Sequence, residues 1–102
     1  MTDEQARLEL LRLRDHIDDV DRRLIDLLNE RTGIVKEIGA VKRTYSLPVY
    51  EPKREDKVYS NIAEHNKGPL PHDSAKRIFE RIMDEMRTLQ RNRMMESNDK
   101  KC

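Results

Sequence analysis

The sequence has a single cysteine, and it is the last residue, Cys102. It cannot form a disulfide within the chain, and a reducing cytoplasm is the expected compartment. A surplus of charge is also missing: 21 basic and 20 acidic residues nearly cancel, leaving +1. That weighs against a dedicated nucleic-acid binder, which carries a basic excess. No apolar run is long enough to span a membrane. Met1-Thr2-Asp3-Glu4 lacks a basic stretch followed by an apolar one, so no secretory signal is expected. His16, His65 and His72 are scattered without zinc-like spacing, and no metal is expected. No serine or cysteine has an evident base partner, and there is no glycine-rich phosphate loop.

What remains is charge and periodicity. Of 102 residues, 35% are hydrophobic and 40% charged, which is a poor balance for a compact monomer of this size. Disorder normally brings a high net charge. Here the net charge is low and the apolar residues are periodic, which favours helices that complete their core by oligomerising. Prolines and glycines divide the chain. Pro48 and Pro52 bracket one break; Gly68, Pro69 and Pro71 bracket another. One domain is expected over residues 1–93, with helices over about 5–43, 52–66 and 73–93. A polar, frayed tail is expected over 94–102.

The first helix carries a seam that alternates three and four: Leu10, Leu13, Ile17, Val20, Leu24, Leu27, Arg31, Ile34, Ile38, Val41. Pro52 suits the first position of the second helix, whose apolar residues are Val58, Tyr59, Ile62 and Ala63. Asp73 or Ser74 can cap the third, with a stripe of Ala75, Ile78, Phe79, Ile82, Met83, Met86 and Leu89. A helix over 5–43 would be roughly 58 Å long, whereas a compact chain of this length has a radius of gyration near about 13 Å. Two shorter helices cannot cover such a seam, so a twofold dimer of all-helical chains, an intertwined bundle, is expected. Periodicity alone fits a plain helical adaptor or coiled coil equally well.

Polar residues interrupt these apolar faces. Arg31 stands in the seam, where an unpaired arginine is costly; a carboxylate on a neighbouring helix would also satisfy it. A flanking stripe at sevens reads Arg14, Asp21, Leu28, Val35, Lys42. Its half-apolar character implies partial burial, although Arg14 and Lys42 singly could snorkel to water. Gln90 continues the stripe of Met83 and Met86; a buried glutamine can also serve a backbone group. Glu55 faces inward with Val58 and Tyr59, beside Arg54, yet a carboxylate in a first turn also complements the helix dipole. Together these residues suggest cofactor-free binding of a small dianion, with hydrogen bonds left for a transition state.

The spacing resembles the all-helical chorismate mutases of the AroQ type over nearly the whole chain. The matching blocks begin with Arg14-x-x-Ile17-x-x-Val20-Asp21-x-x-Leu24-x-x-Leu27-Leu28-x-Glu30-Arg31 and Val35-x-x-Ile38-Gly39-x-x-Lys42. They continue through Pro48 to Arg54-Glu55 and end with Ile78-Phe79-x-x-Ile82 and Leu89-Gln90. The resemblance implies rearrangement of chorismate to prephenate, on the branch toward phenylalanine and tyrosine, without a cofactor. It implies that Arg31 and Arg14 hold the two carboxylates, and that Lys42 and Gln90 donate to the ether oxygen. Glu55 would bind the ring hydroxyl and Arg54 would support the site. Glu51 stands where the family usually has aspartate, and Met86 where a small polar residue often assists a carboxylate.

Arg31 and Lys42 are eleven positions apart, roughly 16 Å along a helix, so both can reach one small substrate. Arg14 is seventeen positions before Arg31, roughly 25 Å away. Its contribution must then come from the partner chain, with the long helices antiparallel. The Arg54-Glu55 pair favours a mutase over the related isochorismate pyruvate lyase. A regulatory module that binds chorismate or prephenate without turnover is the other alternative. Lys67-Gly68-Pro69 followed by Ile78-Phe79-x-x-Ile82 also resembles mutase domains joined to 3-deoxy-D-arabino-heptulosonate 7-phosphate (DAHP) synthase, implying such a domain alone or a partner of that synthase.

Overall fold

The computed structural model describes residues 1–100, and the side chains of residues 1–92. The fold is all-helical: α1 is Asp3–Thr44, α2 is Pro52–His65 and α3 is His72–Lys100, with no strand among the described residues. Each boundary has a local cause. Thr2 and Gln5 form a capping box: the Gln5 N–H donates to Thr2 Oγ1 at 3.1 Å, and the Thr2 N–H donates to Gln5 Oε1 at 2.9 Å. This starts α1 two residues ahead of the expected position.

At its other end α1 closes with a Schellman turn. The Leu47 N–H donates to the Lys42 carbonyl at 2.8 Å and the Ser46 N–H to the Arg43 carbonyl at 3.4 Å. Ser46 takes the left-handed conformation this turn needs, at φ 55°, where glycine is the usual residue. Ser46→Gly is therefore expected to stabilise the fold by up to about 1 kcal/mol, offset in part by the greater freedom of unfolded glycine. Thermal unfolding at fixed protein concentration checks it; an unchanged or lower midpoint would contradict the strain.

Pro52 occupies the first turn of α2, as the sequence suggests, and Glu51 is the N-cap residue. The Glu51 side chain makes no capping bond. Asn66 ends α2 and organises the following loop: its Nδ2 donates to the Leu70 carbonyl at 2.9 Å and its Oδ1 accepts from the Gly68 N–H at 3.0 Å. α3 begins at His72, so Asp73 and Ser74 lie inside its first turn rather than capping it. The Pro71 carbonyl accepts the Ala75 N–H at 3.0 Å. α3 also runs past the expected boundary at 93 into the expected tail. Lys101 and Cys102 lie outside the described residues.

The chain divides into two units, Met1–Ile34 and the part from Val35 onward. The first holds only the part of α1 up to Ile34, and its seam faces solvent: Leu13 is 42% exposed and Leu27 64%, and Leu10, Ile17, Val20, Leu24 and Ile34 are exposed too. In the second unit α2 packs against α3. Val58, Ala75 and Met83 are buried, while Tyr59, Ile62, Phe79, Ile82 and Leu89 are half-buried. The residues of α1 buried here are Val35, Gly39 and Lys42. They belong to the flank beside the seam; Ile38 and Val41 of the seam itself remain exposed.

Candidate active site

Lys42 and Gln90 are the two buried polar residues among those described, each 8% exposed. Lys42 sits where α1 ends, and the linker folds back over its side chain. Its Nζ donates to the Val49 carbonyl at 3.0 Å and pairs with Glu51 Oε1 at 3.0 Å. Glu51 thus caps no helix because its carboxylate is engaged by Lys42. An ammonium has three N–H donors. Two face the linker, which leaves one for a ligand.

Gln90 comes from α3 and lies against α1 at Gly39. A methyl group at Gly39 would meet Gln90 Cγ at 3.6 Å and Arg43 Nη1 at 3.4 Å, so both side chains rest on the same bare stretch of helix. Gln90 Oε1 is buried without a hydrogen-bond partner, and so is Arg43 Nη1. Buried polar atoms are normally satisfied, and orphans concentrate where a ligand or a moving group completes them.

Glu55, in the first turn of α2, is held from α3. Its Oε2 lies 3.3 Å from Arg87 Nε, and both side chains are largely covered. The contact is an ion pair rather than a well-directed hydrogen bond, since Arg87 Nε has no partner of good geometry. Arg87 also pairs with Asp84 and lies over the Tyr50 ring, 5.4 Å from its centroid. Tyr59 lies nearby with Lys76 over its ring at 5.4 Å. Burial pushes the Tyr59 phenol above its ordinary range, and the Glu80 and Glu55 charges add to this, so it stays neutral.

The other expected site residues are less buried. Met86, one turn before Gln90, is half-buried. Arg54 is exposed on α2, and the Glu51 side chain is 46% exposed. In the first unit Arg31 is half-buried and Arg14 is exposed. The second unit therefore brings together Lys42 with Glu51, and Glu55 with Arg87. Arg43, Arg87 and Tyr50 were not among the residues expected from sequence. Arg87 follows Glu55 by 32 positions, too far for any helical spacing to link them. No helix among the described residues is long and apolar enough to cross a membrane.

A family model described as chorismate mutase type II matches residues 13–91. The chain belongs to that family. The match runs from the apolar seam of α1 to the residue after Gln90. Among relatives of this chorismate mutase family member, the T-protein of Enterobacter agglomerans is 40% identical over 81 residues, covering 78% of this chain and 22% of its own length. The chorismate mutase of Methanocaldococcus jannaschii is 26% identical over 96 residues, covering 90% of this chain and 94% of its own. The solved structure of chorismate mutase (form II) from Thermus thermophilus superposes with a TM-score of 0.79 at 32% identity. That match covers 81% of this chain and 94% of the other. The chain spans between about a fifth and a quarter of the length of the longer curated relatives it matches.

Proposed function

We propose that this chain rearranges chorismate to prephenate as a homodimer that works in the cytoplasm. The observation that carries the reading is the burial of Lys42 and Gln90, one cation and one amide, in a unit whose apolar core is otherwise very small. A buried ammonium costs desolvation that stability does not require. A site for developing negative charge explains why it is retained.

The reaction moves bonds within one molecule: a carbon–oxygen bond breaks as a carbon–carbon bond forms. No nucleophile is needed. The protein has to hold the substrate folded, with its two ends in contact. It also has to stabilise charge growing on the ether oxygen, and only interactions stronger in the transition state than in the ground state raise the rate. Lys42 and Gln90 donate to that oxygen. Arg31 and the partner's copy of Arg14 take the two carboxylates, with Met86 leaving one of them a contact short. Glu55 takes the ring hydroxyl beside Glu51, and Arg54 supports the site from the edge of α2.

The exposed seam supports the dimer. Each half-exposed Leu, Ile or Val gains roughly 1 kcal/mol when a second copy covers it, and the seam repeats along both units. Association with a DAHP synthase is a further part of the proposal, supported only by the resemblance of residues 67–69 and 78–82. Co-purification with that synthase tests it.

Incubating the purified protein with chorismate and identifying the product tests the central reading. Prephenate is expected. Chorismate recovered unchanged while binding is measurable would instead favour the regulatory module. Pyruvate and salicylate formed in a parallel incubation supplied with isochorismate would favour the lyase. A second expected outcome concerns pH. Gln90 does not titrate, so no step depends on protonating it. In the Gln90→Glu variant only the protonated carboxyl can donate, and the carboxylate would repel the ether oxygen. Its turnover is expected to rise as pH falls from about 7.5 toward 5, approaching the glutamate range. A flat profile for this variant would remove Gln90 from the reacting bond.

A further inference from the structure

Two orphaned polar atoms of opposite character lie on the same patch of α1. Gln90 Oε1 can only accept a hydrogen bond, and Arg43 Nη1 can only donate one. Both are buried and neither has a partner. Each belongs to a side chain that would touch a methyl at Gly39, at 3.6 Å for Gln90 Cγ and 3.4 Å for Arg43 Nη1. Gln90 is 8% exposed and its Oε1 is buried, so water does not easily satisfy its carbonyl. The terminal torsion of a glutamine is soft, so its carbonyl can swing toward a donor on the same patch.

We propose that Arg43 is a positioning residue for Gln90: its guanidinium donates to Oε1 and so turns Nε2 toward the substrate. The inference rests on the proposed mutase reading, in which Gln90 must present its N–H and not its carbonyl to the ether oxygen. An amide can sit either way round in a slot of its own shape. In the wrong orientation two oxygens face each other, and the interaction that should favour the transition state opposes it. A cation behind the amide removes that ambiguity, because a guanidinium has no acceptor. It also polarises the amide, making the opposite N–H a better donor.

Arg43 has a competing explanation as a cation in the last turn of α1, where it complements the helix dipole. A third explanation has it binding a substrate carboxylate directly. These differ in what they move. If it only serves the dipole, its loss changes stability. If it binds the substrate, its loss raises KM. If it positions Gln90, its loss lowers kcat and changes the electrostatics at position 90.

The decisive measurement uses the full chain carrying Gln90→Glu, with its carboxyl titrated by carbon NMR, alone and combined with Arg43→Met. All other charges of this unit, among them Lys42 with Glu51 and Arg87 with Glu55 and Asp84, are kept in both proteins. Removing Arg43 is expected to raise the carboxyl pKa by about one unit or more, because an adjacent cation favours the charged form. With Gln90 in place, Arg43→Met is expected to lower kcat about tenfold or more with KM little changed, and Arg43→Lys to recover part of it. An unchanged carboxyl pKa would overturn the proposal. So would a raised KM at constant kcat, or a loss of stability alone. If Arg43→Met does not fold, Arg43→Gln replaces it, keeping length and polarity without charge. Should the wild-type protein fail to convert chorismate, the mutase reading fails. The NMR titration still decides whether Arg43 governs position 90.

Discussion

Lys42→Met is expected to lower turnover by about 10²–10³-fold, the usual effect of removing one preorganised donor to a developing oxyanion, while leaving the fold nearly as stable as before. The two effects separate because of where Lys42 sits. Its side chain is buried, but its carboxylate partner Glu51 is 46% exposed. Once the ammonium is gone, Glu51 keeps its water and no stranded buried charge remains. Methionine fills a similar volume, and replacing a buried cation with an apolar side chain of like shape is often neutral or stabilising. What is lost structurally is one hydrogen bond to the Val49 carbonyl, about 1 kcal/mol, and a half-exposed ion pair with Glu51, worth about 1 kcal/mol or less. Alanine would confuse matters by adding a cavity. Steady-state kinetics alongside denaturant unfolding makes the comparison. Parallel losses of activity and stability would reduce Lys42 to a structural strut.

Mixing two inactive proteins should restore activity. Arg14→Ala and Lys42→Met each damage both sites of their own homodimer. In a mixed dimer with antiparallel long helices, one site receives both defects and the other receives neither. Free exchange of equal amounts gives mixed dimers as half the population, each with one intact site, so about a quarter of wild-type activity is expected. The physical basis is distance: Arg14 stands seventeen positions before Arg31 on the same helix, roughly 25 Å of rise. Arg14 is also exposed in the single chain, as a residue that reaches into another molecule's site should be. Exchange is followed by native mass spectrometry on tagged chains. Mixed dimers without recovered turnover would rule out the shared site.

Features governed by short-range periodicity could be read from the sequence. The three helices, the break at Pro48 and Pro52, and the apolar seam of α1 follow from spacings of three and four. The burial of Lys42 was half-legible: the flanking stripe of Leu28, Val35 and Lys42 pointed to partial burial, yet a lysine at a helix end normally snorkels. It is buried because the linker returns over it, and that depends on Ser46 adopting a conformation a serine rarely takes. Glycine at that position would have announced the turn; serine hid it. The start of α1 was missed although Thr2-x-x-Gln5 is a recognisable cap, because the apolar pattern begins only further on. Glu55 and Gln90 could be placed on faces, but their neighbours Arg87 and Arg43 could not. The Glu55–Arg87 ion pair and the meeting of Gln90 with Arg43 beside Gly39 each join residues from different helices, and no period along one helix contains them.

Lys42 also does two jobs through two different parts of itself. Its backbone carbonyl accepts the Leu47 N–H that ends α1, and its ammonium holds Val49 and Glu51 further along. The seven residues between α1 and α2 are thereby fastened to both the backbone and the side chain of a single residue. Loops of this kind ordinarily absorb insertions freely, since added length costs little entropy. This one has no slack to absorb: an extra residue between Leu47 and Glu51 would shift the register of both acceptors against a fixed lysine. Variation in length should therefore collect in the stretch between α2 and α3, where Asn66 fastens only its own loop, and the first linker should behave as a ruler whose length is part of the chemistry.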